Sequence, residues 1–372
     1  MALVSWRVFE PDHPGGGLLG RIIVEGNDRF DFVCVAKSVH PDIQPLVEWH
    51  RAAFPAGPLR MKWAAFYATA AVGIARAKAD VVHAMSPMPA VPNQVDLASI
   101  NWCHAGYHEA AAGRPPGENR VTWRAARTFT LGLERLTYRP PRTRVAEVET
   151  AAAKATVKRH YPDLPVVEIP LTYDTQRYRA DAGARARTRA ELAAGDDDVV
   201  ALFVGRNWNA KGLDLAVAGL ADARRRGAGR LALWVAGRDE AAKLERMARR
   251  HGVADRVTLL GIRKDLERHY AAADVFLLPT LYEHGSRASH EAAACGLPLL
   301  VTATSGPADL IGDDEGGIVI QRDPESIGAA LVRVAADPAL RRKMGQAARE
   351  RMLASNGTGP EPYFELYEQL AT

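Results

Sequence analysis

The stretch Pro279-Thr-Leu-Tyr-Glu-His-Gly-Ser-Arg-Ala-Ser-His-Glu-Ala-Ala-Ala-Cys-Gly-Leu-Pro298 carries two carboxylates, Glu283 and Glu291, eight positions apart. The apolar run Asp274 to Leu278 ahead of it reads as a buried strand. A small-residue loop, an Ala-rich helix and a Gly-Leu-Pro stop follow. One acid then stands at the carboxyl end of a strand, and the other near the start of the next helix. Free N–H groups at a helix amino terminus take phosphate, and carboxylates accept hydrogen bonds from sugar hydroxyls. Together they describe a site for a polyhydroxylated anion, a nucleotide sugar.

Outward from this stretch, short apolar runs alternate with longer helical patterns. The runs are Asp31 to Ala36, Val81 to His83, Val166 to Ile169, Val199 to Val204, Leu231 to Ala236, Val257 to Leu260, Val275 to Leu278 and Leu297 to Val301. Leu213 to Arg225 and Glu240 to His251 have helical spacing. Strand–helix alternation implies parallel sheets with right-handed crossovers. At 372 residues it implies two doubly wound units; a closed eight-unit barrel is the competing layout. The breaker-rich segment Pro170 to Asp198 argues for a boundary near mid-chain. The expected division is an acceptor-binding Rossmann-like domain over 1–172, a nucleotide-sugar-binding one over 173–355, and a C-terminal segment over 356–372 that carries an aromatic amphipathic helix.

Charged residues make up 25% and apolar residues 47%, ordinary for a globular protein. The formal charge of +4 lies in the first half: residues 1–172 hold 20 Lys/Arg against 16 Asp/Glu, and residues 173–372 balance. Between Arg114 and Arg144 stand eight arginines and two glutamates. This stretch suits an anionic membrane surface or an acidic acceptor; a solvated helical face is the plainer reading. Three widely spaced cysteines without a CxxC suit a reducing compartment. The start has no basic leader followed by a long apolar stretch, and Trp63 to Ala75 is too short to span a bilayer. The expected location is the cytoplasm, with any membrane contact peripheral.

A nucleotide diphosphate carries about two negative charges, and a metal-free site needs fixed cations and N–H groups against them. Arg206 and Lys211, in Val204-Gly-Arg-Asn-Trp-Asn-Ala-Lys-Gly212, lie just past a strand, where open α/β sheets bind ligands. Arg offers a planar fork and Lys a point charge. Cations near a helix amino terminus are disfavoured unless an anion binds.

At this point the chain resembles the retaining glycosyltransferases of family 4, glycosyl transferases group 1, which have the GT-B fold. Glu-x7-Glu before Ala294-Cys-Gly-Leu-Pro298 resembles the family signature, and Gly205-Arg-x4-Lys-Gly212 a second landmark. Leu260 to Leu266, Tyr270-Ala-Ala-Ala-Asp-Val-Phe-Leu-Leu-Pro279, Ile169 to Tyr178 and Pro14-Gly-Gly-Gly17 resemble others. The C-terminal half matches strongly and the N-terminal half moderately. The resemblance implies two facing Rossmann-like domains with a cleft between them, and a last helix that crosses back to the first. It assigns Arg206 and Lys211 to the diphosphate, Glu283 to the donor sugar, and Glu291 to the ribose hydroxyls. Gly285, Ser286 and Arg287 lie between the acids, with the serine and backbone amides toward phosphate. Arg263, in the turn after Gly261, is a candidate for the base. Gly16 and Gly17 belong to a loop that nears the donor phosphate, where glycine permits positive φ and close approach. His104, in Asn101-Trp-Cys-His-Ala-Gly106, matches a histidine beside the donor sugar; a lone histidine after a strand is otherwise structural. His83 reads as a cleft-lining residue, and His290 as a helix-surface one. Catalysis is expected of Glu283, His104, Arg206 and Lys211.

The expected function is a metal-independent, retaining transfer of a sugar from a nucleotide-diphosphate sugar, UDP- or GDP-linked, to an acceptor hydroxyl. The acceptor is a lipid-linked glycan precursor or a natural-product aglycone. A sugar-nucleotide epimerase of the same superfold and a non-catalytic nucleotide-sugar-binding partner compete. No cofactor is expected. His108-Glu and His290-Glu lack the second histidine of a zinc helix. Asp196-Asp-Asp198 reads as a loop. Basic residues are not interleaved with aromatic ones, against nucleic acid.

Overall fold

The computed structural model describes residues 1–10, 17–56, 59–85, 94–111, 120–312 and 315–372, with backbone alone over 59–64 and 120–122. They form two compact units. The first comprises Met1–His108, Glu118–Leu171 and Gly357–Thr372, the second Glu109–Gly117 and Thr172–Asn356.

The first part of the chain runs β1 (Ala2–Val8), α1 (Leu18–Gly26), β2 (Val33–Val39), β3 (Glu48–Arg51), α2 (Leu59–Ala77), β4 (Val82–Ala84) and β5 (Val95–Ser99). It continues with α3 (His104–Ala110), α4 (Arg120–Thr137), β6 (Thr143–Val148), α5 (Ala151–His160) and β7 (Val166–Glu168). The strands form one parallel sheet in the order β3-β2-β1-β4-β5-β6-β7. Parallel strands need crossovers, and the helices that supply them cover the sheet.

The second part runs α6 (Ala182–Glu191), β8 (Val199–Val204), α7 (Trp208–Lys211), α8 (Leu213–Arg225), β9 (Leu231–Ala236), α9 (Ala241–Arg250), β10 (Val257–Gly261) and α10 (Leu266–Ala272). Then come β11 (Val275–Leu278), α11 (Arg287–Ala294), β12 (Leu299–Thr302), β13 (Gly317–Ile320), α12 (Pro324–Ala336) and α13 (Pro338–Ala354). This sheet is also parallel, in the order β10-β9-β8-β11-β12-β13. Its winding reverses between β8 and β11, so the loops after these two neighbours diverge and leave a crevice at their carboxyl ends. β8 and β11 are almost wholly buried apolar runs, as strands covered on both faces must be.

Five strands lie outside the apolar runs read above, β1 and β5 among them. β3 is short and polar, β6 is interrupted by Arg144 and Glu147, and β13 spans only four residues. The segment read as breaker-rich holds α6, whose start is set by Asp181 accepting from Ala184 N at 2.8 Å.

The last helix, α14 (Glu361–Ala371), belongs to the first unit. Its Tyr363, Phe364, Tyr367 and Leu370 join a core with Leu3, Ile22, Ile23 and Phe32. A Cβ at Gly26 would lie 2.7 Å from the Phe364 ring, so glycine lets helix and ring meet. Arg29 adds ion pairs to Glu361 at 2.6 Å and Glu368 at 2.7 Å. Beneath these lies a polar cluster. His83 is fully buried, with Nδ1 2.7 Å from the Tyr367 hydroxyl and Nε2 2.8 Å from Ser99 Oγ. The Tyr363 ring stacks on it at 5.9 Å. His83 therefore does not line a cleft: both ring nitrogens are used inside the unit, and burial pushes its pKa down to about 3. Glu147, also buried, is pushed up to about 7 by the same desolvation.

Tyr367→Phe removes one hydroxyl and leaves a ring nitrogen of His83 without its partner. The expected cost is about 1–3 kcal/mol in the unfolding free energy of the first unit. Chemical denaturation of the full chain checks it; a change below about 0.5 kcal/mol would count against the cluster as the tie for α14.

Candidate functional site

Three strands of the second unit end together on glycines. Gly205 N donates to Ala236 O at 3.0 Å, and Gly237 N to Gly261 O at 2.8 Å. Gly237 has φ +137°, and a Cβ there would lie 1.9 Å from Gly205 O; no other residue fits this approach. Past β8 the chain turns at Asn207, in the left-handed region at φ 54°, into the single turn α7. Trp208 anchors this turn. It is buried, its backbone N donates to Asp239 Oδ2 at 3.1 Å, and its indole donates to Gly205 O at 3.2 Å. Gly212, at φ +74°, ends the turn where a Cβ would meet Pro279 O at 2.2 Å. The loop after β8 is thereby pressed against the loop after β11. Leu281 N and Thr280 Oγ1 both donate to Ala210 O, at 2.8 and 3.3 Å.

Glu283 is held from its other side. Its N donates to Thr304 O at 3.2 Å, and its O accepts from Gly306 N at 3.0 Å. The carboxylate reaches Lys211, whose ammonium rests on Oε2. Both side chains are largely covered, at 22% and 13% exposure. Lys211 thus ends a turn rather than opening a helix. Burial, and then the nearby Arg206 charge, push its pKa down to about 8. With a pKa of about 8 the lysine is mostly cationic at neutral pH. Arg206 itself is exposed.

Ser286 caps α11. Its Oγ accepts from Ser289 N at 3.3 Å and from Ser289 Oγ at 3.0 Å. Gly285 is half-buried beside it. Arg287 lays its guanidinium over the Tyr173 ring at 5.5 Å. Tyr173 is stacked on His290 at 4.8 Å with rings 4° from parallel. His290 is therefore buried in this stack and not on the helix surface, and its Nδ1 is 2.9 Å from Ser286 O. Glu291 lies midway along α11 and not near its start. It is 6% exposed, and its Oε2 accepts from the Tyr270 hydroxyl at 3.0 Å. Burial raises its pKa, while Arg287, Tyr270, Tyr178 and Arg177 favour the ionised form.

Other candidates take different partners. Arg263 is paired with Asp265, at 3.1 Å from Nε, in the loop between β10 and α10. In the first unit His104 begins α3. Its N–H and that of Ala105 donate to the two oxygens of Glu134, at 2.5 and 2.9 Å, and the Tyr161 hydroxyl donates to the same carboxylate at 2.7 Å. Burial lowers the His104 pKa, and Glu134 raises it. Gly17 is the residue before α1, at φ −69°, a conformation open to any residue. Gly16 lies outside the described residues.

The structure thus brings Arg206, Lys211 and Glu283 to the ends of the two strands that flank the winding reversal. It sets Glu291 with tyrosines on the next helix. Sequence reasoning passed over Tyr270, which stands at the head of Tyr270-Ala-Ala-Ala-Asp274, and Tyr173 with its ring partner. It also passed over Glu134, one of two acids in an arginine-rich stretch. Among the described residues, no group of three or more His, Cys, Asp or Glu is placed to hold a metal ion. Among them also, no helix is long and apolar enough to cross a membrane.

Comparison with known proteins adds to this geometry. The family profile described as Glycosyl transferases group 1 matches residues 184–351. The chain is 33% identical over 198 residues to the GDP-mannose-dependent alpha-(1-6)-phosphatidylinositol monomannoside mannosyltransferase of Mycolicibacterium smegmatis, covering 50% of this chain and 52% of that one. It is 28% identical over 223 residues to the lipopolysaccharide glucosyltransferase WaaG of Escherichia coli, covering 58% of this chain and 60% of that protein. The matches span between about half and three fifths of these curated relatives. The crystal structure of WaaG superposes with a TM-score of 0.81 over 98% of both chains, at 22% identity. The structure of Anabaena Alr3699/HepE in complex with UDP and glucose superposes at 0.69 over 100% of this chain and 98% of that one, at 16% identity. The profile match takes in Arg206, Lys211, Glu283 and Glu291, so residues 184–351 are similar to the glycosyl transferases group 1, and the fold is that of WaaG over nearly the whole chain.

Proposed function

We propose that this chain is a retaining, metal-independent glycosyltransferase that moves a sugar from a nucleotide-diphosphate sugar to an acceptor hydroxyl. The observation that carries this is the meeting of Lys211 with Glu283, beside Arg206, at the ends of β8 and β11. Ligands of open α/β sheets bind at such a reversal. Arg206 and Lys211 meet the charge of the departing diphosphate. Glu283, fixed by its backbone bonds to Thr304 and Gly306, accepts from the donor sugar's hydroxyls and steadies positive charge at the anomeric carbon. Glu291 takes the ribose hydroxyls, Arg263 the base, and Gly285, Ser286 and Arg287 the phosphate side. The first unit binds the acceptor, with His104 and the loop of Gly16 and Gly17 as its contributors. The leaving phosphate takes the acceptor proton, so no separate general base is required. The UDP complex of Alr3699/HepE and the GDP-mannose dependence of the mycobacterial relative support a UDP- or GDP-linked donor.

A lipid-linked acceptor is the reading favoured by α4. Its exposed face carries Arg124, Arg127 and Arg135 beside Phe129, 67% exposed, and Leu136, 51% exposed. Cations flanking apolar side chains on one helix suit an anionic lipid surface. We place the protein on the cytoplasmic face of such a membrane.

Arg206→Ala and Glu283→Gln should each lower turnover at least ~100-fold, measured with whichever UDP-, GDP- or dTDP-sugar most raises the melting temperature. Near wild-type turnover in both would defeat the assignment. The Lys211 pKa near 8 fixes a sign: above it the lysine loses its charge, so UDP or GDP affinity falls as pH rises through about 8. That decline should vanish in Lys211→Ala, whose affinity is lower throughout. In flotation assays the protein should bind vesicles containing phosphatidylglycerol and not pure phosphatidylcholine. Reversing Arg124, Arg127 and Arg135 to Glu should abolish binding without loss of melting temperature; equal binding to both vesicles would remove the membrane reading.

A further inference from the structure

We propose that Tyr270 is a positioning residue: its hydroxyl orients Glu291 toward the ribose of the nucleotide and so makes the site discriminate ribonucleotides from deoxyribonucleotides. The proposal rests on the assignment of Glu291 to the ribose made above. Tyr270 stands in α10, ahead of β11, and Glu291 in α11, behind it. The tyrosine is fully buried, and its hydroxyl donates to Glu291 Oε2 at 3.0 Å. Its ring is fixed from two sides, by Tyr178 edge-on at 6.0 Å and by Phe276 of β11 at 6.3 Å. The donor is therefore a rigid group on the core and not a mobile surface side chain.

A carboxylate has about four lone-pair positions, and free rotation spreads them over many directions. One oxygen held by a fixed hydroxyl sets the carboxylate plane and leaves the remaining positions aimed in one direction. Burial raises the Tyr270 pKa well above its ordinary value, so the phenol remains a donor at any working pH. Burial raises the Glu291 pKa, and the Arg287 charge, the Tyr270 and Tyr178 hydroxyls and the Arg177 charge act against that rise. An oriented acceptor gains most from a ligand hydroxyl and loses most when that hydroxyl is missing.

The test is calorimetric binding of UDP and 2′-deoxy-UDP, and of GDP and 2′-deoxy-GDP, to wild type, Tyr270→Phe and Glu291→Gln. Wild type should bind the ribonucleotide of its preferred base at least about tenfold more tightly than the deoxy form. Tyr270→Phe keeps the ring and removes only the hydroxyl. It should narrow that ratio to about threefold or less, by weakening the ribonucleotide while changing the deoxy form less than about twofold. Glu291→Gln should narrow it likewise. A Tyr270→Phe protein that keeps the wild-type ratio overturns the proposal and makes Tyr270 an ordinary core residue. A damaged fold would weaken both ligands alike and leave the ratio in place, the same overturning result. A wild type that binds both forms equally, with Glu291→Gln unchanged, instead overturns the ribose assignment and the proposal with it. A wild type that binds neither UDP nor GDP overturns the donor-site reading beneath both.

Discussion

Lys211 against Glu283 is the contact around which the second unit's strand ends are arranged. A partly buried lysine beside an arginine is costly unless a carboxylate or another anion compensates it. The backbone is built to bring that carboxylate near. Asn207 and Gly212 take left-handed conformations, α7 supplies one tight turn, and Ala210 O receives both Thr280 and Leu281. The glycines at 205, 212 and 237 let the ends of β8, β9 and β11 approach without side chains between them. What results is a pair of charges at the one place in a doubly wound sheet where adjacent loops diverge.

The helix beyond this pair obeys a different logic. Ser286 and Ser289 satisfy the start of α11 by capping, and the helix is packed by aromatic side chains: Tyr173 on His290, and Tyr270 with Tyr178 near Glu291. The two acids of the motif therefore live in unlike surroundings. Glu283 faces a cation at the edge of the crevice. Glu291 is set among phenols and nearly covered. These unlike environments fit the unlike tasks proposed for them, one with developing charge and one with neutral hydroxyls.

In the first unit, polar groups are spent on holding the fold. His83, Ser99 and Tyr367 join α14 to the central strands. Glu134 accepts from the first amides of α3 and from Tyr161, which is a helix dipole compensated from within the chain. Buried polar groups of this kind are satisfied by one another, and each would be costly if left alone.

The α/β class and the parallel, doubly wound sheets follow from the chain's own alternation of short apolar runs and helical spacing, because burial on both faces needs continuous apolar strands. The candidate chemistry was equally visible: Glu-x7-Glu after one strand and Arg-x4-Lys after another are local patterns. Sequence alone did not mark β3, β6 or β13, whose runs are too short or too polar to show a period. It also left open which partner each charged group takes. That Glu283 meets Lys211, that Glu291 meets Tyr270, that His290 stacks on Tyr173 and that His83 is sealed beneath α14 are contacts between distant segments. Periodicity records only which face a residue turns inward, whereas the neighbour it finds there is set by strand order and crossover, and these exist only once the sheet has formed.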